Sequence, residues 1–380
     1  MITKIVIPLT GLIAGLILGV YCINPHIKTP IHIKSIPKQV IGFLPYWLLD
    51  RAHTDYSSYI TTLTYFGLRM DGNGHIMKLA TPQQEDPGWY DLSSGKLNPF
   101  FANARQNNVK LSLLIDSGDS STINQLLSKP APHAVTLVHD AMPIMKKYHF
   151  QDLNLDIEYT ATPSAIAQTH FTQFIHTVKQ QLTKYRLGTL TLEISPIDVV
   201  TSTLINPKAI APYADTVILM AYDYHSPTSL VTGPIAPLQG AGKDLEYDVT
   251  TAVIKSLQSI PAAKLILGIP LYGYEWETLN TAVRSAIIPG TGELASNARM
   301  DSFLAQCATC SAFFDNESQE EFLVYHDQKT GTYHQAFFPT AKSTEAKINL
   351  ANKVQLGGIA LWALGYEGAN ILNPLTQYKN

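Results

Sequence analysis

The segment Asp152-Leu153-Asn154-Leu155-Asp156-Ile157-Glu158 alternates polar and aliphatic residues with the two-residue period of a β-strand. Asp152, Asn154, Asp156 and Glu158 share one face; Leu153, Leu155 and Ile157 share the other. In isolation such a window describes an antiparallel edge strand with a wet face. Its neighbours argue otherwise. The residues before it read as a helix from about His133 to Tyr148 and those after it as a helix from about Pro163 to Tyr185, so the strand lies inside an αβα repeat. Repeats of that kind build parallel sheets covered on both faces. With the aliphatic face against helices, the acidic face must point into a barrel or crevice, where uncompensated carboxylates are costly. A chain keeps such a face when the acids do chemistry. Glu158 comes last, at the carboxyl end of the strand, where parallel α/β folds and eight-stranded barrels place active sites.

A chain of 380 residues, 46% apolar and 15% charged, can bury one large core or two modest ones. Its formal charge of −3 and scattered Lys and Arg exclude a nucleic-acid or polybasic membrane-surface binder. The amino terminus departs from this soluble composition. After Lys4, the stretch from Ile5 to Ile23 carries no charge and is interrupted only by Pro8 and Thr10, long enough to cross a bilayer. Residues 1–24 therefore read as a signal anchor or a signal peptide. The anchor is favoured, because no small-x-small cleavage site precedes Asn24-Pro25 and Cys22 follows Val20 and Tyr21 rather than small residues. Residues 25–38 form a linker, and the remainder is expected outside the cytoplasm, either tethered to the membrane or secreted. Cys307 and Cys310 form a C-x-x-C pair without the second pair or the histidines of a structural zinc site, so a local disulfide is expected there.

From residue 39 the chain reads as a repeat of strands and helices. Gln39 to Trp47 is a buried strand ending in aromatics; Ile60 to Leu68 is a second strand, closed by the Asp71-Gly72-Asn73-Gly74 turn. A helix over Asn98 to Asn108 leads to a third strand, Val109 to Ile115, and then to Asp116-Ser117-Gly118-Asp119. The acidic strand is fourth, and the helix after it presents Phe171 and Phe174 to the core. Leu190 to Ser195 is fifth; its lone acid, Glu193, can face inward, but a lone acid in such a segment is more often an end-of-strand or solvated residue. Thr216 to His225 is sixth, and Lys264 to Tyr272 is seventh. Between about 276 and 341 the repeat is interrupted by a segment with little helix and a candidate hairpin, Phe322 to His326 against Tyr333 to Phe338. A helix from about Lys342 to Gln355 then precedes an eighth strand, Gly357 to Trp362.

Several of these segments resemble one family. Phe150 to Glu158 is similar to the fourth-strand signature D-G-x-D-x-D-x-E of glycoside hydrolase family 18, the chitinases and related N-acetylglucosaminidases. Asp156 and Glu158 match it in type and spacing, while Gln151, Asp152 and Asn154 replace the first Asp, the Gly and the middle Asp. An N-x-D-x-E version resembles the branch of cell-wall and spore-cortex glucosaminidases. Met220-Ala221-Tyr222-Asp223 resembles the family's M-x-Y-D. Gly233-Pro234-Ile235-Ala236-Pro237 resembles its G-P-x-A-P loop, and Gly268 to Gly273 its G-x-P-x-Y-G. Gly358 to Trp362 resembles its last strand and tryptophan. The match runs from about residue 39 to 368.

The resemblance implies an α/β fold, a TIM (β/α)8 barrel over 39–380 with a small α+β insertion between strands seven and eight, preceded by the amino-terminal transmembrane segment. It implies substrate-assisted cleavage of β-1,4-linked N-acetylglucosamine polymers, in which the substrate's own acetamide oxygen replaces the second carboxylate that most glycosidases use. By the same resemblance Glu158 is the general acid and then the base, Asp156 holds the acetamide nitrogen, and Asn154 continues the hydrogen-bond chain beneath it. Tyr222 donates to the acetamide oxygen, Asp223 and Met220 contact the sugar, and Trp362 forms the apolar floor. Tyr46, Trp47 and Tyr272 are candidates for neighbouring substrate contacts. No metal, cofactor, nucleic acid or obligate protein partner is implied; the partners are an N-acetylglucosamine-containing polysaccharide and the membrane. Two other readings stay open on the sequence: a lectin-like barrel that binds such glycans without cleaving them, and a scaffold whose groove the insertion blocks.

Overall fold

The structure is a computed structural model that describes residues 38–379 except 202, 244, 246, 308, 309 and 311. The anchor or signal reading of residues 1–24 and nearly all of the linker lie outside the described residues. Among the described residues no helix is long and apolar enough to cross a membrane.

Seven barrel strands precede the interruption, apart from a small two-stranded sheet (Leu79–Thr81 with Gln84–Glu85) after the second: β1 (Gln39–Pro45), β2 (Thr62–Arg69), β3 (Lys110–Ser117), β4 (Asp152–Ile157), β5 (Thr189–Ile194), β6 (Thr216–Leu219) and β7 (Leu265–Pro270). Five strands of an inserted sheet follow: β8 (Tyr272–Thr278), β9 (Glu293–Ser296), β10 (Ala312–Asp315), β11 (Glu320–Asp327) and β12 (Thr332–Phe338). The last strand, β13 (Gly358–Trp362), pairs in parallel with both β7 and β1 and so closes an eight-stranded parallel barrel.

The two-residue period of the strands sorts their side chains. Leu153, Leu155 and Ile157 of β4 belong to the large core between barrel and helices, as do Leu111, Leu113 and Ile115 of β3. Ile41, Phe43, Leu114, Ile218, Ile266 and Ala360 form a separate cluster inside the barrel. Phe171 and Phe174 are buried in the outer core, on the helix Ala167–Tyr185. That helix and the preceding one, Pro130–Tyr148, end in left-handed residues, Arg186 and His149, whose backbone N–H groups return to Leu182 and Met145. Each cap turns the chain back towards the next strand.

Four expectations differ from the structure. The sixth strand ends at Leu219, because Met220 to Tyr224 leaves the ladder and Asp223 takes a left-handed φ of 60°; apolar composition alone extends it too far. The first strand ends at Pro45, after which Tyr46–Leu48 forms a single helical turn. The insertion begins at Tyr272 rather than near 276, and its antiparallel sheet runs β9-β8-β12-β11-β10. It also contains a ten-residue helix, Asn297–Gln306, followed by the disulfide Cys307–Cys310.

The insertion is tied to the barrel by buried polar contacts. Lys347 Nζ lies 3.2 Å from Glu320 Oε1, with both side chains at 1% exposure or less. Glu320 also accepts the backbone N–H groups of Ile235 and Ala236. A charge buried this deeply is tolerated because a cation and two backbone donors meet it.

Candidate active site

Asp152, Asn154 and Asp156 point into the barrel, in register with Ser112, Leu114 and Asp116 of β3. Glu158 follows at the carboxyl end of β4, where its backbone N–H donates to the carbonyl of Ser117. Two cavities meet at this residue. One, of about 280 Å³, is walled by Asp156, Glu158, Glu193, Met220, Tyr222, Asp223 and Trp362, with Phe43, Phe66 and Leu114 beneath. The other, of about 460 Å³, shares Glu158, Glu193 and Met220 and runs past Tyr159, Asp198 and Ile205. Glu158 is exposed to solvent at their junction.

The site is crowded with carboxyls. Asp156 is 7% exposed, and burial first, then Glu158, Glu193 and Asp116, raise its carboxyl well above the ordinary range. The carboxyl of Glu158 is raised by the desolvation of the crevice and then by Asp223 and Asp198. Asp116 is pushed up to about 7 by burial, against the pull of Arg69; Arg69 itself is paired with Asp86 at 2.6 Å. Like charges in a dry crevice cannot all ionise, so protons are retained here at neutral pH.

Tyr222 lies over Gly268 of β7. A Cβ at that glycine would approach the Tyr222 ring to 3.1 Å and the carbonyl oxygen of Leu219 to 2.7 Å, so the absence of a side chain there makes room for the tyrosine. Asp223 accepts the hydroxyls of Tyr272 at 2.7 Å and Tyr274 at 3.1 Å. Trp362 makes edge contacts with Phe66, Phe43 and Trp47, at centroid distances of 5.1, 5.7 and 6.2 Å.

The structure brings Asp156, Glu158, Met220, Tyr222, Asp223 and Trp362 together around one cavity at the carboxyl end of the barrel, whereas Asn154 lies one layer deeper and borders a separate cavity with Asp152, Thr189 and Thr191. Tyr272 is 3% exposed and is not among the residues that wall the inner cavity; its hydroxyl holds Asp223. Trp47 is 46% exposed at the rim, with Tyr46 against its edge, outside the walls of the inner cavity.

Glu193 is a correction. It points inward, is 4% exposed and accepts Asn154 Nδ2 at 2.7 Å. The signal was present: Thr191 and Glu193 alternate with Leu190, Leu192 and Ile194 in the same pattern that marks β4. Asp116 lies on the same inward face as Ser112 and Leu114, and the aliphatic Leu113-Leu114-Ile115 before it masks that alternation in the sequence.

Asp152, where the family signature has glycine, fills the lower barrel. Its carboxyl accepts the hydroxyls of Ser112 at 2.7 Å, Thr189 at 2.5 Å and Thr191 at 3.1 Å, yet burial still pushes it up to about 6.

A closed parallel barrel with an acid-lined crevice at the carboxyl ends of its strands is the architecture of a barrel glycosidase. The chain belongs to glycosyl hydrolases family 18, whose sequence profile matches residues 39–367. It is 25% identical over 339 residues to the cortical fragment-lytic enzyme of Bacillus subtilis (strain 168), covering 83% of this chain and 67% of that one. It is also 25% identical over 282 residues to probable chitinase 10 of Drosophila melanogaster, covering 68% of this chain and 12% of that much longer protein. The fold is shared with the Group IV chitinase of Ostrinia furnacalis (TM-score 0.77, 20% identity, 90% of this chain and 99% of that one). It is shared as well with the spore cortex-lytic enzyme SleL of Bacillus megaterium QM B1551 (TM-score 0.68, 19% identity, 90% and 74%). The chain is a glycosidase.

Proposed function

We propose that this glycosidase cleaves β-1,4 linkages of N-acetylglucosamine-containing cell-wall glycan with retention, the substrate's acetamide serving as nucleophile. The observation that carries this reading is the place of Glu158, at the junction of two cavities and above a buried Asp156. A bridging oxygen held between the cavities meets the Glu158 carboxyl from both sides. Glu158 gives its proton to that oxygen as the C1–O bond breaks, and the acetamide carbonyl oxygen bonds to C1, forming an oxazolinium ion. Asp156 accepts the acetamide N–H, and Tyr222 donates to the acetamide oxygen, which aligns it for attack. Glu158, now ionised, takes a proton from water as the water oxygen bonds to C1 and the bond from C1 to the acetamide oxygen breaks, which restores the acetamide and the acid form of Glu158. Trp362 supports the sugar from below.

The cell-wall substrate is favoured over chitin by the N-x-D-x-E form of the motif and by the cortical fragment-lytic relative, which spans most of this chain. Reducing-end release from purified peptidoglycan, compared with chitohexaose at equal sugar concentration, tests the choice. Faster turnover of chitohexaose overturns it. An extracytoplasmic location belongs to the same reading and is supported by the Cys307–Cys310 disulfide. Digestion of the barrel by protease added to intact cells tests that location, and complete protection contradicts it.

A further inference from the structure

Asn154 stands where the family's signature carries a carboxylate, and its amide is fixed by another acid. Nδ2 donates to Glu193 Oε1 at 2.7 Å across the pair β4–β5, in which Asn154 is level with Thr191. Asn154 is 1% exposed and Glu193 4%. With Nδ2 committed, Oδ1 of Asn154 is the free end of the amide; it is buried without a hydrogen-bond partner among the described residues, and so is Oδ1 of Asp156, the next inward residue of the strand. Two buried acceptors left unmatched cost free energy, and a proton on Asp156 offers the Asn154 oxygen the donor that it lacks.

We propose that Glu193 is a positioning residue of the hydrolysis: the carboxyl missing from position 154 is supplied by the neighbouring strand, where it fixes the Asn154 amide beneath Asp156 and so holds the Asp156 carboxyl in the orientation that receives the acetamide N–H. This rests on the roles proposed above for Asp156 and Glu158. The titratable groups around Glu193 are Asp152, Asp156 and Glu158 from β4, Tyr222 and Asp223 after β6, and Asp198 after β5. Asp116 and its neighbour Arg69 act through Asp156. Burial, opposed by the Asn154 hydrogen bond and reinforced by Glu158 and Asp152, pushes Glu193 up to about 8. Its charge therefore changes within the working range of the site.

The test compares Glu193→Gln, Glu193→Ala and the double variant Asn154→Asp/Glu193→Ala in release of fluorophore from a chitotriose conjugate across pH 4 to 9, with thermal melts as the check of folding. Gln retains an acceptor for Asn154 Nδ2. Its kcat is expected within about threefold of the parent at pH 5, while the alkaline limb of kcat/KM moves to lower pH because a like charge has gone. Ala removes the acceptor. Its kcat is expected to fall about ten- to a hundredfold with KM within about twofold, a loss of alignment and not of binding. Returning the carboxyl to β4 in the double variant is expected to recover about tenfold of that loss. A folded Glu193→Ala with parental kcat overturns the proposal, as does a double variant no better than Glu193→Ala, or a Gln variant with an unmoved pH profile. Glu158→Gln, run beside them, separates the two claims: if it keeps the parental rate, the assignment of the acid itself has failed, whereas an inactive Glu158→Gln with a fully active Glu193→Ala rejects Glu193 alone.

Discussion

Tyr272 donates its hydroxyl to Asp223 Oδ1 at 2.7 Å, from the first residue of the inserted sheet to the left-handed residue that follows Tyr222. The insertion thus holds a carboxylate of the barrel crevice in place, and Tyr274, two residues further along the same strand, adds a second donor at 3.1 Å. These two hydroxyls favour the ionised form of Asp223, which burial opposes. Tyr272→Phe removes the shorter bond. It is expected to raise the pKa of Asp223 and to lower kcat/KM about three- to tenfold, since a hydrogen bond to a charged group contributes about 1.5–3 kcal/mol when buried and less at an exposed carboxylate. Steady-state kinetics on the chitotriose conjugate check this; an unchanged kcat/KM contradicts it.

Trp362 closes the cavity from the last strand, beside Phe43 and Phe66. Trp362→Ala is expected to raise KM about tenfold, equivalent to about 1.4 kcal/mol of lost sugar stacking, while the barrel melts cooperatively. An unchanged KM would show that the ring serves packing alone.

The fold should be more stable in mild acid than in mild alkali. Asp152, Asp116 and Glu193 are pushed up to about 6, 7 and 8, chiefly by burial, from ordinary carboxyl values near ~4. Each keeps its proton in the folded chain after the unfolded chain has released it. The stability tied to their neutral forms is complete below about pH 4 and is lost as pH rises through each folded value. Asp119, exposed and held at about 2 by hydroxyl and backbone donors, acts oppositely, and its contribution is lost only in stronger acid. The melting temperature is expected to peak near pH 5 and to fall by pH 8.5, with a smaller fall in Glu193→Gln. A flat or rising profile between those values contradicts the burial argument.

Lys347 and Glu320 form the buried ion pair that fastens the inserted sheet to the helix before the last strand. Lys347→Ala leaves Glu320 buried with two backbone donors and no cation. The expected loss is about 3–5 kcal/mol, measured by urea unfolding. A loss under about 1 kcal/mol would mean that water reaches Glu320.

Much of this was legible in the sequence where one residue type forces one geometry. The alternation in β4 orients Asp152, Asn154 and Asp156 inward, and the fold observes it. The helices on either side follow from the length of their helical runs. Legibility failed where two geometries serve the same composition. The apolar run from Thr216 has the look of strand up to His225, yet a left-handed backbone at Asp223 depends on contacts with Tyr272 and Tyr274 that lie some fifty residues away. Glu193 was set aside because a single acid is usually solvated; its burial depends on Asn154, a partner on another strand. Tyr272 offers an aromatic ring to either a ligand or a core, and only the third dimension shows that its hydroxyl is already engaged.

The central claim is that Glu158 is the acid and base of the hydrolysis. Fluorophore release from the chitotriose conjugate should fall about 10²- to 10⁴-fold in Glu158→Gln, a change that preserves shape and removes only the transferable proton. The variant should keep the parental circular dichroism and still bind chitotriose. Glu158→Gln turning over at the parental rate would contradict the account, and the proton would then have to come from another carboxyl of the crevice.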